Sequence, residues 1–195
     1  MLIITGTGRS GTSLIALWLK ECGLLNYDSE WVDQFDAGLD NPESSRINKA
    51  IWQGSDPYYY SAEAKTKGIS LIDYPIIKDT NFFSKHVLQT WLPVRKDMKF
   101  LICLRKFGSV NKSWSRTKQL IRLRTPEQHE SDFGKFISTC IFNNVEFEII
   151  CFPELIDNYK NVYTAVKNLV PDLELDFEQA KIAWEKVCEK NKVHF

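Results

Sequence analysis

LIITGTGRSGTSLIALWLKEC, residues Leu2 to Cys22, changes its pattern twice within one short stretch. The apolar run Leu2 to Ile4 reads as a buried strand. Three glycines come next, Gly6, Gly8 and Gly11, with Arg9, Ser10, Thr12 and Ser13 among them. Leu14, Leu17, Trp18 and Cys22 then recur at helical spacing, so the order is strand, glycine loop, helix. Such a loop turns successive backbone N–H groups and a helix N-terminus toward one point, where they satisfy the oxygens of a phosphate or sulfate. The nucleotide-triphosphate loop GxxxxGK[ST] requires lysine where this chain has Thr12, and that lysine reaches the β and γ phosphates. Here the cation is Arg9, three residues earlier, which weakens an NTP-hydrolysing reading.

The surrounding composition is that of a globular domain. At 195 residues and 44% hydrophobic content the chain is long enough for one domain with a sizeable core, and residues 1–195 are read as a single domain. The net charge of zero is made of separated blocks. Between Cys22 and Ser45 there are six acids and no Lys or Arg, whereas Met98 to Pro126 holds eight basic residues and no acid. That split suggests an anion-binding face rather than general affinity for nucleic acid.

Five cysteines, Cys22, Cys103, Cys140, Cys151 and Cys188, form no CxxC pair and sit mostly among apolar residues, so they read as buried thiols. His86, His129 and His194 lie in no ligand spacing, and no metal site is expected. No apolar run approaches transmembrane length, and the N-terminus enters a strand directly, without a basic leader. A cytoplasmic protein that does not insert into membranes is the expectation. The sequence leaves the oligomeric state open.

After the first helix, an irregular acidic stretch leads to Asn41-Pro42, a turn, and to a short helix expected over Glu43 to Trp52. The aromatic run Tyr58 to Tyr60 lies in a polar connection suited to contacts with a substrate. Pro75 to Lys78 reads as a second strand ending in Lys78-Asp79, and a helix is expected through Lys85 to Leu92. Lys99 to Leu104 is the strongest buried-strand signal in the chain. It ends in Arg105, where an ATPase or kinase typically carries a metal-holding aspartate. Arg105 and Ser113 are eight residues apart in RKFGSVNKSW, so a strand end and the first turns of the next helix present a guanidinium and a hydroxyl to one phosphate.

GTGRSGTS resembles the 5′-phosphosulfate loop, core [RK]SGT[TS], of sulfotransferases that use 3′-phosphoadenosine 5′-phosphosulfate (PAPS). Arg105 and Ser113 match the 3′-phosphate element R(x)7S of that family. IIKDTNFFSKHVLQTWLPVRKDMKFLICLRKFGSVNKSWSR is similar to its central segment, most of all in the branch that includes tyrosylprotein sulfotransferases and related bacterial enzymes. The resemblance spans Leu2 to Arg116 and is only an outline beyond. Thr80 stands in place of the proline of a KDP element, Phe107 and Ser109 replace more usual residues, and no C-terminal glycine-rich nucleotide clamp is visible.

The resemblance implies a three-layer α/β/α fold like that of P-loop NTPases, and transfer of a sulfuryl group from PAPS to a hydroxyl or amine with release of 3′-phosphoadenosine 5′-phosphate (PAP). Gly8, Arg9, Ser10, Gly11, Thr12, Ser13, Arg105 and Ser113 would bind the donor, with Arg9 and Lys78 supplying positive charge to the reaction. A base must also accept the acceptor's proton. Glu30 has the spacing of the glutamate in the tyrosylprotein branch, and Asp79, Glu43 and His86 compete with it. A P-loop small-molecule or nucleotide kinase and a non-catalytic module for PAPS or another nucleotide remain as alternatives.

The last third reads as scaffold. Phe133, Phe136, Ile137, Cys140 and Ile141 form one helical stripe. Phe147 to Phe152 is a further strand, and Leu155, Tyr159, Val162, Val166 and Leu169 stripe another helix. Phe177, Ala180, Trp184, Val187 and Cys188 stripe a last one. Strands alternating with helices predict a parallel sheet covered on both faces, with ligand outside the carboxyl ends of its strands.

Overall fold

A computed structural model describes residues 1–6, 10–24, 75–78, 88, 91–93, 95–116 and 125–191. The expected helix Glu43–Trp52, the aromatic run Tyr58–Tyr60 and most of the helix expected through Lys85 to Leu92 lie outside the described residues. Arg9, Gly8, Glu30, Glu43, Asp79, Thr80 and His86 do so as well.

Four described strands, β1 (Leu2–Gly6), β2 (Ile76–Lys78), β3 (Lys99–Arg105) and β4 (Phe147–Phe152), form one parallel sheet in the order β2-β1-β3-β4. Parallel strands buried on both faces carry near-continuous apolar runs, and Leu2-Ile3-Ile4 and Phe100 to Cys103 are fully buried for that reason. Alternation sends each strand's side chains to two different layers. Leu2, Ile4, Ile76, Leu101, Cys103, Ile150 and Phe152 join one core, while Ile3, Ile77, Phe100 and Ile102 join a second with Leu88, Trp91, Phe136 and Cys140. The architecture is therefore three-layer α/β/α around a parallel sheet, as the order of elements predicts.

The first layer contains α1 (Thr12–Glu21), α5 (Tyr159–Leu169) and α6 (Phe177–Asn191). An aromatic knot joins them. Trp18 of α1 meets Tyr159 and Trp184 edge-on, at centroid distances of 5.9 and 5.7 Å, and its indole Nε1 donates to the Ala180 carbonyl at 2.8 Å. Tyr159 donates its hydroxyl to the Phe177 carbonyl, and Lys186 pairs with Glu21 across the rim of α1 and α6. On α1 the buried apolar set is Leu14, Ile15, Ala16, Trp18 and Leu19, whereas Leu17 and Cys22 of the expected stripe are only half-buried. The helix is embedded more widely than a single stripe, because α6 covers a second side of it.

The second layer holds α3 (Pro126–Phe142), and α2 (Phe107–Arg116) touches it through the Phe107 and His129 rings. Thr125 caps α3 in a reciprocal capping box with Gln128, and Pro126 occupies its first position, where no N–H is needed. Phe136 and Cys140 are buried as the stripe predicts, but Ile141 is 60% exposed and lies outside the core. The stripe beginning at Leu155 is also interrupted. α4 (Glu154–Asp157) ends at Asn158, whose φ of −125° and ψ of 60° are not helical, and α5 starts afresh at Tyr159. Among the described residues, no helix is long and apolar enough to cross a membrane.

If the knot around Trp18 holds α1 to α6, Trp18→Phe removes the indole hydrogen bond to Ala180 and the part of the ring that packs on Tyr159 and Trp184, and should lower unfolding free energy by about 1–3 kcal/mol in urea titration. An unchanged midpoint would show that α1 is held by the sheet alone.

Candidate functional site

The β1 end requires glycine. Gly6 has φ of +151°, and a Cβ on it would lie 2.1 Å from the Cys103 carbonyl oxygen of β3 and 2.8 Å from Ser10 Oγ. A side chain there would collide with backbone, so only glycine lets the chain leave the sheet against β3 and turn back into α1. Gly11, at φ of +97°, is the N-cap of α1. No side chain caps this helix end, and its first turn carries no acid. The first N–H groups of a helix have no partner within it, so this terminus presents donors and the positive end of the helix dipole without an acid in its first turn.

Two further observations fit an oxyanion ligand at that terminus. Ser10 is fully buried, and among the described residues its Oγ has no hydrogen-bond partner. A buried hydroxyl left in that state costs free energy that a ligand oxygen would recover. Thr12 is buried beside it and Ser13 is exposed, so the two hydroxyl residues opening α1 occupy different environments.

Strand parity collects the remaining groups. Gly6, Lys78, Arg105 and Phe152 continue the alternation that places Ile4, Ile76, Cys103 and Ile150 in the α1-side core. All four sit at the carboxyl ends of their strands and on that face. Lys78, at 3% exposure, is next to Ile4 in register, and its charge reaches Cys103 across β1. Burial pushes the Cys103 thiol far up from its ordinary value, and the Lys78 charge only partly offsets this. Arg105 is paired in register with Phe152, and its guanidinium lies over that ring, Cζ 4.5 Å from the centroid. The same ring borders the start of α1, where a Cβ built on Gly11 would be 2.8 Å from Phe152 Cδ2. One aromatic side chain thus stands between the guanidinium and the open helix terminus.

The structure brings together Ser10, Gly11, Thr12, Ser13, Lys78 and Arg105 of the residues expected from sequence. Ser113 lies in α2, directly after β3, and its side chain is not among those described. Phe107, which departs from the usual motif, packs its ring edge-on against His129 of α3 at 5.7 Å. Phe152 is the residue that sequence reasoning missed as part of the site. Its signal was present, an aromatic closing a strand at the carboxyl edge, but the apolar run around it reads equally as core. Cysteine burial needs a correction as well. Cys103, Cys140 and Cys188 are buried, Cys22 is half-buried, and Cys151 is exposed because β4 borders the sheet on its far side among the described strands. Among the described residues, no cluster of His, Cys, Asp and Glu is placed to hold a metal ion.

No family model and no curated protein matches the sequence. A crystal structure of retinol dehydratase in complex with androsterone and the inactive cofactor PAP has the same fold, with a TM-score of 0.50 and 16% sequence identity. The likeness covers 99% of this chain and 66% of that one, so the chain spans about two thirds of that protein's length.

The thiol environments predict graded reactivity. Burial pushes Cys140 up to about 12, and burial with the Glu21 charge pushes Cys22 up to about 11, so neither is a thiolate near neutrality. Native protein treated with a disulfide reagent at pH 8 should therefore show one fast thiol, and Cys151→Ser should remove that phase. A fast phase that survives the substitution would contradict the burial assigned to the other cysteines.

Proposed function

We propose that this protein is a sulfotransferase that moves a sulfuryl group from PAPS to a hydroxyl or amine acceptor and releases PAP. The observation that supports this most is the pairing of two anion sites on either side of the Phe152 ring, an open α1 terminus with the orphaned Ser10 hydroxyl and the Arg105 guanidinium. A ligand with phosphates at both the 5′ and 3′ positions of one ribose suits two such sites. They lie at the edge where β1 and β3 diverge in chain order, which is where open parallel sheets receive ligands. The PAP bound in the retinol dehydratase structure agrees with this reading.

The donor, when bound, supplies an activated sulfuryl group on a phosphate leaving group. The N–H groups of Gly11, Thr12 and Ser13 and the Ser10 hydroxyl would hold the 5′ side, with Gly8 and Arg9 completing the loop. Arg105 and Ser113 would hold the 3′-phosphate. Arg9 and Lys78 would neutralise charge that develops on the bridging oxygen, and positioning with preorganised positive charge supplies most of the catalysis by analogy with phosphoryl transfer. Glu30 is proposed as the base that takes the acceptor's proton, with Asp79, Glu43 and His86 as competitors. The androsterone bound alongside PAP in retinol dehydratase makes a hydroxyl-bearing apolar molecule one acceptor class to try. Residues 1–195 act as one domain in this proposal, which requires neither a metal nor a membrane anchor. A kinase reading finds no lysine at Thr12 and an arginine, Arg105, at the strand end where a metal carboxylate belongs.

Thermal shift with a chelator present separates these readings. PAP at about one hundred times its dissociation constant should stabilise the protein by roughly 2.7 kcal/mol, and ATP with Mg²⁺ much less. Arg105→Ala should weaken PAP by roughly 1.5–3 kcal/mol while hardly changing AMP, which lacks the 3′-phosphate. Stabilisation by ATP with Mg²⁺ that equals or exceeds that by PAP would overturn the assignment.

The base has its own test. Glu30→Gln should leave PAP affinity intact and reduce turnover on a verified acceptor by roughly 10²- to 10⁴-fold. Lys78→Met should reduce turnover and also weaken the donor. Full activity of Glu30→Gln across pH would move the base to Asp79.

A further inference from the structure

We propose that Phe152 is a positioning residue whose ring fixes the Arg105 guanidinium relative to the start of α1, and so sets the spacing between the two anion sites. This rests on the reading of the site as a 3′-phosphoadenosine site and deepens it. Three observations converge on the ring. It is buried at the last position of β4 and belongs to the same α1-side core as Ile150 and Leu155. Its face receives Arg105, with Cζ 4.5 Å from the centroid, on the strand paired with it in register. Its edge occupies the space that a side chain at Gly11 would need, at the residue that opens α1.

An arginine at a strand end has several rotamers, and ordering it on binding costs free energy that opposes affinity. A cation over an aromatic face is held electrostatically by the ring quadrupole, so the contact selects orientations of Arg105 before any ligand arrives. Stacking uses the face of a guanidinium and phosphate hydrogen bonding uses its edge, so the two contacts are compatible at one arginine. On the other side, the ring's contact with Gly11 makes the same side chain a spacer against the helix terminus. The ring is therefore expected to matter for a ligand that uses both sites and little for one that uses only the α1 terminus.

Titration calorimetry of PAP and AMP against the wild type, Phe152→Leu, Arg105→Ala and the double variant tests this. Phe152→Leu should weaken PAP roughly 3- to 30-fold, the scale of a cation–π contact, and change AMP less than about twofold. In the Arg105→Ala background the same substitution should change PAP less than about twofold. Replacing Phe152 by pentafluorophenylalanine keeps the shape of the ring while reversing its face charge. It should weaken PAP as leucine does, even if the leucine variant folds poorly. Equal losses for PAP and AMP, an undiminished effect without Arg105, or full PAP affinity in the fluorinated protein would each overturn the inference while leaving the proposed function standing. Failure of the wild type to bind PAP would overturn both.

Discussion

Where β1 ends, the chain passes so close to β3 that a methyl group at Gly6 would sit 2.1 Å from a backbone oxygen. That approach sets the path of the next turn and helix. The chain leaves the sheet at its carboxyl edge and re-enters as α1 with an uncapped terminus. α1 then lies across Leu2, Ile4 and Leu101, where the Trp18 knot joins it to α5 and α6. A bulkier residue at position 6 would push the loop away from β3, and with it Ser10, whose hydroxyl is packed back over the same space. The start of α1 and the first layer of helices thus depend on one absent side chain.

No acid occupies the first turn of α1 or of α2, and Lys78 and Arg105 stand on the same face of the sheet as Gly6 and α1. Positive groups collected at a partly buried edge act through a lower effective dielectric than water, so they favour a multiply charged ligand more than exposed lysines would. Phe152 adds shape to this field. Its ring separates the guanidinium from the helix terminus by an aromatic side chain that cannot be compressed.

Much of this was legible because burial on both faces writes strands as apolar runs. The expected strands over Leu2 to Ile4, Pro75 to Lys78, Lys99 to Leu104 and Phe147 to Phe152 all occur, with small changes at their ends. The placement of Arg105 at the end of β3 was legible for the same reason. Strand order was not, because periodicity says which face is buried and not which strand is adjacent. Asn158 interrupts a stripe that reads as one helix, since the apolar spacing continues across a residue that is not helical. Ile141 and Cys151 look like core in sequence, but both are exposed, and no layer of the described residues covers them. Phe152 was hidden by the opposite ambiguity, since a ring that serves a site and a ring that fills a core have the same neighbours in sequence. Gly8, Arg9 and Glu30 lie outside the described residues, and their roles rest on the resemblance of their motifs.

In the proposed reading, one ligand bridges the α1 terminus and Arg105. A crystal structure of the protein with PAP tests it most directly. The 5′-phosphate is expected on the N–H groups of Gly11 to Ser13 with Ser10 Oγ as a further partner, and the 3′-phosphate against the edge of the Arg105 guanidinium while its face remains on Phe152. PAP bound with its 3′-phosphate in solvent, or bound away from the carboxyl edge of β1 and β3, would contradict it.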